Sequence, residues 1–211
     1  MDTQHQEFNV WPLMIDMLTS ILIIIMLFNF FEEIVRPQNL EQKIVEMRRD
    51  RFFKDFQVLF QEEIGSKKIN YSSNFDYLQI TFSDKILFGS GSYYLNNSGK
   101  NLLEKFGGLI PIHSSNKTIH SIQVEGHTDN KPINDKETFP LDNWDLSSAR
   151  AIAVIRYLSG IKGNKAIDKS LFSANGFGEF NPVSNTDDSK NRRIEIKVYF
   201  SNKKSLLDGP G

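Results

Sequence analysis

TIHSIQVEGHTDNKPINDKETFPLDNWDLSSARAIAVIRYL, residues 118–158, decides how the larger part of this chain is read. Thr118–Glu125 alternates like a half-buried strand, and Ser147–Leu158 carries apolar residues at helical spacing, with Leu146 leading in and Gly160 ending the run. Between them, Lys131 to Asp142 form an extended loop. Working outward, Tyr77–Phe82 (YLQITF) and Arg193–Phe200 (RIEIKVYF) alternate as strands, Leu171–Asn175 is a short strand, and Ser98–Ile110 is helical. Helices set between strands predict an α/β (α+β) sandwich of one sheet and one helical layer over residues 74–201.

The rest of the chain has a different character. The totals of 211 residues, formal charge -1 and mean hydropathy -0.36 average over unlike segments. From Trp11 to Phe31, 21 residues contain one charge, Asp16, whereas 16 of the 37 residues from Glu32 to Lys68 are charged, eight of each sign. A helix needs about 20 apolar residues to cross a ~30 Å hydrocarbon core. Residues 11–31 therefore predict a single transmembrane α-helix. With no Lys or Arg in residues 1–10 and no small-x-small site after the run, it reads as an uncleaved anchor, not a signal peptide. Five Lys or Arg in residues 32–51 against none before the span would, taken alone, keep the C-terminal domain in the cytoplasm.

Asp16 is the informative residue of the span. An ionised carboxylate there costs several kcal/mol, about 2.5–3.5 on the lenient insertion scale. Thr19 and Ser20 follow at i+3 and i+4, giving one polar stripe. Two readings stand: a carboxyl group that takes up and releases an ion, or a residue of the first turn after Pro12, favoured by the helix dipole and nearby water.

Pro37 predicts a break just after the membrane. Beyond it, Val45, Phe52, Phe56, Leu59, Phe60 and Ile64 share one face of a helix from about Gln38 to Ile64. That face can pack on the following domain, pair with a second copy, or lie on the membrane as a plug. Gly65 to Asn74 reads as a linker. The divisions are thus 1–10 tail, 11–31 span, 32–73 charged helical connector, 74–201 domain and 202–211 tail.

Several chemistries are disfavoured. The chain contains no cysteine, which removes disulfides, thiolate metal sites and a lipidated cysteine, and its near-neutral charge argues against nucleic acid as partner. His113, His120 and His127 are seven apart, but no second ligand type clusters with them and their segment reads as loop and strand, so no metal is expected. Gly176-Phe-Gly178 lacks the third glycine of a dinucleotide site. Ser147 and Ser148 lack a nucleophile elbow, and Trp144 reads as a packed loop anchor; neither an enzyme nor a resident cofactor is expected.

Four ordered motifs, GHTD at 126–129, NWDLSSARA at 143–151, GFGEFNPV at 176–183 and NRRIEIKV at 191–198, resemble OmpA-like peptidoglycan-binding domains. The resemblance implies that Asp129 and Arg150 hold the diaminopimelate of the peptide stem, with Asn143 and Arg193 in support. A carboxylate suits its amino group, and a guanidinium fork suits its carboxylate. A structural Asp129–Arg150 ion pair is the alternative. The long loop after Asp129, and Trp11 followed by Asp16-Met-Leu-Thr19-Ser20, resemble MotB-like motor subunits, whose membrane aspartate carries the translocated ion. The wording WPLMID and the short connector are closer to the ZorB subunits of Zorya anti-phage defence systems.

The resemblance implies a B subunit of an ion-driven rotary motor of the bacterial inner membrane, moving H+ or Na+ past Asp16, Thr19 and Ser20. It further implies a homodimer inside a ring of multi-span A-type subunits, a cytoplasmic N-terminus, and a periplasmic domain tied to peptidoglycan. Because long domains translocate largely regardless of flanking charge, this orientation outweighs the Lys/Arg count. A flagellar MotB-like stator subunit and a passive membrane-tethered wall anchor are the alternatives. An ExbD-like energiser shares the Asp-bearing helix without the wall-binding motifs.

Overall fold

Two strands whose apolar residues alternate most cleanly pair at the centre of a five-stranded sheet. The computed structural model describes residues 10–74, 77–114, 119–133, 139–162 and 166–200, with only the backbone at 34–42 and 114. Strands β1 (Ile69–Ser73), β2 (Tyr77–Ser83), β3 (Ile119–His127), β4 (Phe172–Gly176) and β5 (Arg193–Phe200) lie in the order β1-β2-β5-β3-β4, and the short helices α2 (Gln61–Gly65) and α3 (Asp84–Leu87) flank β1 and β2 in the chain. All neighbours are antiparallel except β3 and β4, which are parallel and joined through helix α6 (Asn143–Gly160). The α/β sandwich expected from the sequence is present.

Side chains of a strand alternate between faces. On one face Leu78, Ile80 and Phe82 of β2, Ile122 and Val124 of β3, and Ile194, Ile196 and Val198 of β5 are buried. They form one core with Ala151, Val154 and Leu158 of α6 and with Leu103 and Phe106 of α4 (Asn97–Gly107). Each such large apolar side chain contributes roughly 1.5–3 kcal/mol through burial.

Where the sequence predicts one helix over 98–110, α4 is followed by a separate α5 (Leu109–Ser114). Pro111, which has no N–H and is best placed in a first turn, falls in the first turn of α5. Thr118 and residues 134–138 of the long loop lie outside the described residues.

Helix α1 (Trp11–Leu59) belongs partly to each of two compact units, Met1–Lys43 and Ile44–Gly211. In the first unit, Trp11–Glu33 contains an 18-residue window of mean hydropathy 2.2 and is long and apolar enough to cross a membrane. The backbone is helical through Pro37, so the expected break is absent.

In the second unit the apolar stripe packs on the domain, as one of its three readings had it. Phe52, Phe56 and Phe60 are fully buried, and Phe52 meets Phe200 of β5 edge-on at 5.5 Å. The core therefore begins well before residue 74. The expected linker after Gly65 contains edge strand β1, in register with β2 from Ile69↔Phe82 to Ser73↔Leu78. The tails at 1–9 and 201–211 lie outside the described residues, with Val10 immediately before α1.

Candidate functional site: a charged cleft at the sheet end

The cleft forms where β3 ends and α6 begins, and two glycines permit that junction. A Cβ on Gly126 of β3 would lie 2.1 Å from the carbonyl oxygen of Ser147, and one on Gly176 of β4 would meet Ser148 Oγ at 2.1 Å. Only hydrogen lets the first turns of α6 sit directly on these strand ends. Asp142 caps α6, accepting from the Asp145 N–H at 2.9 Å. This placement brings Arg150, in the second turn, beside the segment that follows β3.

The resulting cavity measures about 620 Å³, and Asp84, Thr128, Asp129, Asn143, Arg150 and Arg192 contribute to its lining. Its charges alternate. Asp129 Oδ2 accepts from Arg192 Nη1, while Asp84 Oδ2 lies 3.5 Å from both Arg150 Nη1 and Arg192 Nε. Arg150 is 1% exposed; its Nε donates to the Ser92 carbonyl at 3.0 Å and its guanidinium lies 5.3 Å from the Phe88 ring centroid. Burial pulls the Arg150 pKa below its ordinary value, opposed by Asp84. The hydrogen bond to Asp129 pushes that of Arg192 upward.

Three buried polar atoms of this lining, Asp84 Oδ1, Thr128 Oγ1 and Arg150 Nη1, have no hydrogen-bond partner among the described residues. Orphaned buried groups each cost about 1–3 kcal/mol, more when charged. An acceptor, a hydroxyl and a cationic donor together suit a ligand carrying both an ammonium and a carboxylate.

Of the residues read from the sequence, Asp129, Arg150 and Asn143 meet here. Asn143 Nδ2 donates to the carbonyls of Asp129 and Lys131 at 3.2 and 3.1 Å and to Glu179, fixing the chain that carries Asp129. Among the described residues Asp129 pairs with Arg192 and Arg150 with Asp84, not with each other. Arg193 does not line the cleft. It is buried on β5, pairs with Glu195 and donates to the Asn181 carbonyl. Its neighbour Arg192 supplies the cleft's second guanidinium. Adjacent residues of an extended segment point to opposite faces, so only one arginine of the pair could do so.

His127 has carboxylate neighbours that the sequence reading did not anticipate: ligand atoms of Glu125, His127 and Glu195 lie within 4.8 Å of one another. Lys197 pairs with Glu125 at 2.8 Å and Arg193 with Glu195, so both carboxylates already have cationic partners. Trp144 is no buried anchor either; it is 50% exposed and stacks on Phe180.

In the N-terminal unit, Thr19 Oγ1 donates to the Asp16 carbonyl at 2.9 Å, and Asp16, Thr19 and Ser20 are all exposed. Met14 N–H already bonds the Val10 carbonyl, so Asp16 lies beyond the first turn, which holds no acidic residue. Dipole stabilisation, confined to that turn, does not account for it.

Over 125 residues the chain is 34% identical to Motility protein B of Bacillus subtilis (strain 168), an alignment covering 57% of this chain and 44% of the relative. YtxE of the same organism is 32% identical over 127 residues, covering 58% and 48%. The chain thus spans about half the length of the curated relatives it matches. Among solved structures, a MotB-like protein from Desulfovibrio vulgaris superposes with a TM-score of 0.64 at 22% identity, covering 76% of this chain and 99% of that one. The cell wall anchor of the T6SS from Pseudomonas aeruginosa gives 0.55 at 27% identity, covering 69% and 96%. Residues 87–195, from the end of Asp84–Leu87 into β5, match the OmpA family, and the chain belongs to it.

Proposed function

We propose that the chain is the B subunit of an ion-driven rotary motor of the bacterial inner membrane, held to peptidoglycan by the charged cleft. The observation that carries the anchoring role is the set of orphaned groups on Asp84, Thr128 and Arg150 beside Asp129 and Arg192. The free end of a stem diaminopimelate carries one ammonium and one carboxylate. Asp129 and Asp84 suit the first, and Arg150 and Arg192 grip the second. The two carboxylates and two guanidiniums balance one another, so a ligand with one charge of each sign leaves none of these four groups unmatched.

The motor role rests on Asp16, a carboxylate in a helix otherwise apolar enough to span. One helix offers no closed ion path, so a pair of these chains within a ring of multi-span A-type subunits completes the assembly. Protonation or Na+ binding at Asp16, with Thr19 and Ser20 beside it, drives rotation of that ring. The N-terminus is cytoplasmic and the domain periplasmic. WPLMID and the short connector favour a Zorya-type defence setting over a flagellar one; helicase and nuclease genes beside this one would support that choice, and flagellar genes would reverse it.

Co-sedimentation with purified sacculi tests the anchor. The full chain pellets with diaminopimelate-containing wall, and Asp129→Ala or Arg150→Ala loses most of that retention; unchanged pelleting rejects the site. A second reading, a passive tethered anchor, draws support from the likeness to the T6SS wall anchor. It predicts that a plain leucine helix can replace residues 11–31 without loss of function.

A further inference from the structure

Beside the charged cleft lies a second, smaller cavity of about 260 Å³, lined by Leu141, Asp142, Trp144, Glu179 and Phe180. Pro132, Ile133 and Asn143 line both cavities, so the two adjoin across these residues. Their chemistry differs sharply. The first is built of paired charges, whereas the second presents aromatic rings: Trp144 and Phe180 stack at 5.3 Å with 30° between their planes and are 50% and 66% exposed. Large exposed aromatic surface is costly to leave in water and marks a contact surface. The carboxylates of Asp142 and Glu179 add acceptors at its edge.

We propose that this aromatic shelf is a glycan subsite, which receives a sugar ring of the strand whose peptide stem occupies the charged cleft; the proposal rests on the peptidoglycan reading above. A pyranose has an apolar C–H face and a rim of hydroxyl and amide donors. The electron-rich face of Trp144 suits the C–H face, and Glu179 and Asp142 suit the rim donors. Adjacency to the charged cleft selects this occupant over an unrelated partner. Two residues separate the diamino acid from the sugar, and at roughly 3.5 Å per residue a stem reaches from one cavity into its neighbour. Asn143 stands in the shared wall and bonds both to the Asp129 carbonyl and to Glu179, which couples the two halves mechanically.

The test is titration of the detergent-solubilised full chain with a disaccharide–tetrapeptide and with the free diaminopimelate tetrapeptide. The unmodified chain binds the disaccharide form more tightly, and its tryptophan emission changes with that ligand alone. Trp144→Ala and Phe180→Ala each weaken the disaccharide form about tenfold, close to 1.4 kcal/mol, and leave the free peptide unchanged, which also shows that the variants fold. Equal affinity of the unmodified chain for the two ligands would overturn the subsite, as would variants that weaken both forms or neither. Variants that lose self-association while keeping both affinities would assign the shelf to a protein contact instead. Binding of neither ligand by the unmodified chain would remove the peptidoglycan reading together with this proposal.

Discussion

Arg192 donates from Nη1 to Asp129 Oδ2, while Arg150 sits 3.5 Å from Asp84. Two carboxylates and two guanidiniums thus share one cleft, and the roles of adjacent Arg192 and Arg193 separate. Arg192→Ala should lower sacculus retention by roughly tenfold or more, since charge-assisted hydrogen bonds contribute about 1.5–3 kcal/mol, and should also lower Tm, because it strands buried Asp129. Arg193→Ala should lower Tm, because it strands buried Glu195, a loss of about 3–5 kcal/mol, while the protein that stays folded keeps its sacculus retention. Thermal melts and co-sedimentation of both variants check the division; equal behaviour would contradict it.

Gly126→Ala should disrupt the cleft without removing any of its charges. The new Cβ meets backbone at Ser147, which cannot rotate away, so α6 must shift and Arg150 with it. Overpacking of this kind typically costs about 1–3 kcal/mol or more. Urea unfolding should show the loss, and wall binding should fall with it.

The domain should not survive trimming to residue 74. Phe52, Phe56 and Phe60 are fully buried in its core, and each Phe→Ala change should cost about 3–5 kcal/mol. A fragment from Ile44 should melt cooperatively, and one from Asn74 should aggregate or lack a transition. A stable, cooperatively folding 74–200 fragment would show the stripe to be dispensable.

His113 should give the domain an acid-sensitive component. Its Nε2 lies 3.0 Å from Asp55, but burial outweighs that partner, and with Arg51 nearby its pKa stays below the ordinary 6.5. The unfolded chain therefore takes up this proton first. The His113 contribution is whole above about pH 6.5 and is lost as pH falls through the folded-state value. Urea midpoints from pH 8 to 5 should decline less steeply in His113→Gln than in the unmodified chain; parallel slopes would refute it.

What could be read from sequence followed from how local each signal is. β5 matches its expected limits, Arg193–Phe200, because apolar Ile194, Ile196, Val198 and Phe200 alternate with polar or amphipathic residues along it. β1 was hidden because INYSS is an edge strand with a single buried residue, Ile69. Asp129, Asn143 and Arg150 were legible through motifs near one another in the chain. Asp84 reaches the cleft only through long-range folding, from the one-turn helix Asp84–Leu87. Arg192 was visible as half of an arginine pair, but which half faces the cleft depends on the register of β5 against β3, where Arg193 sits opposite His127. Trp144 follows Asn143 at the start of α6, and its stacking partner Phe180 comes from a segment distant in the chain.

If Asp16 carries the ion while the C-terminal cleft holds the wall, motor activity and wall binding separate at this one residue. Motor-dependent activity in cells and sacculus retention of the same full-length protein should be recorded for Asp16→Asn. Activity should be abolished while wall retention and assembly with the A-type partner are unchanged. An active Asp16→Asn variant would contradict that role for Asp16.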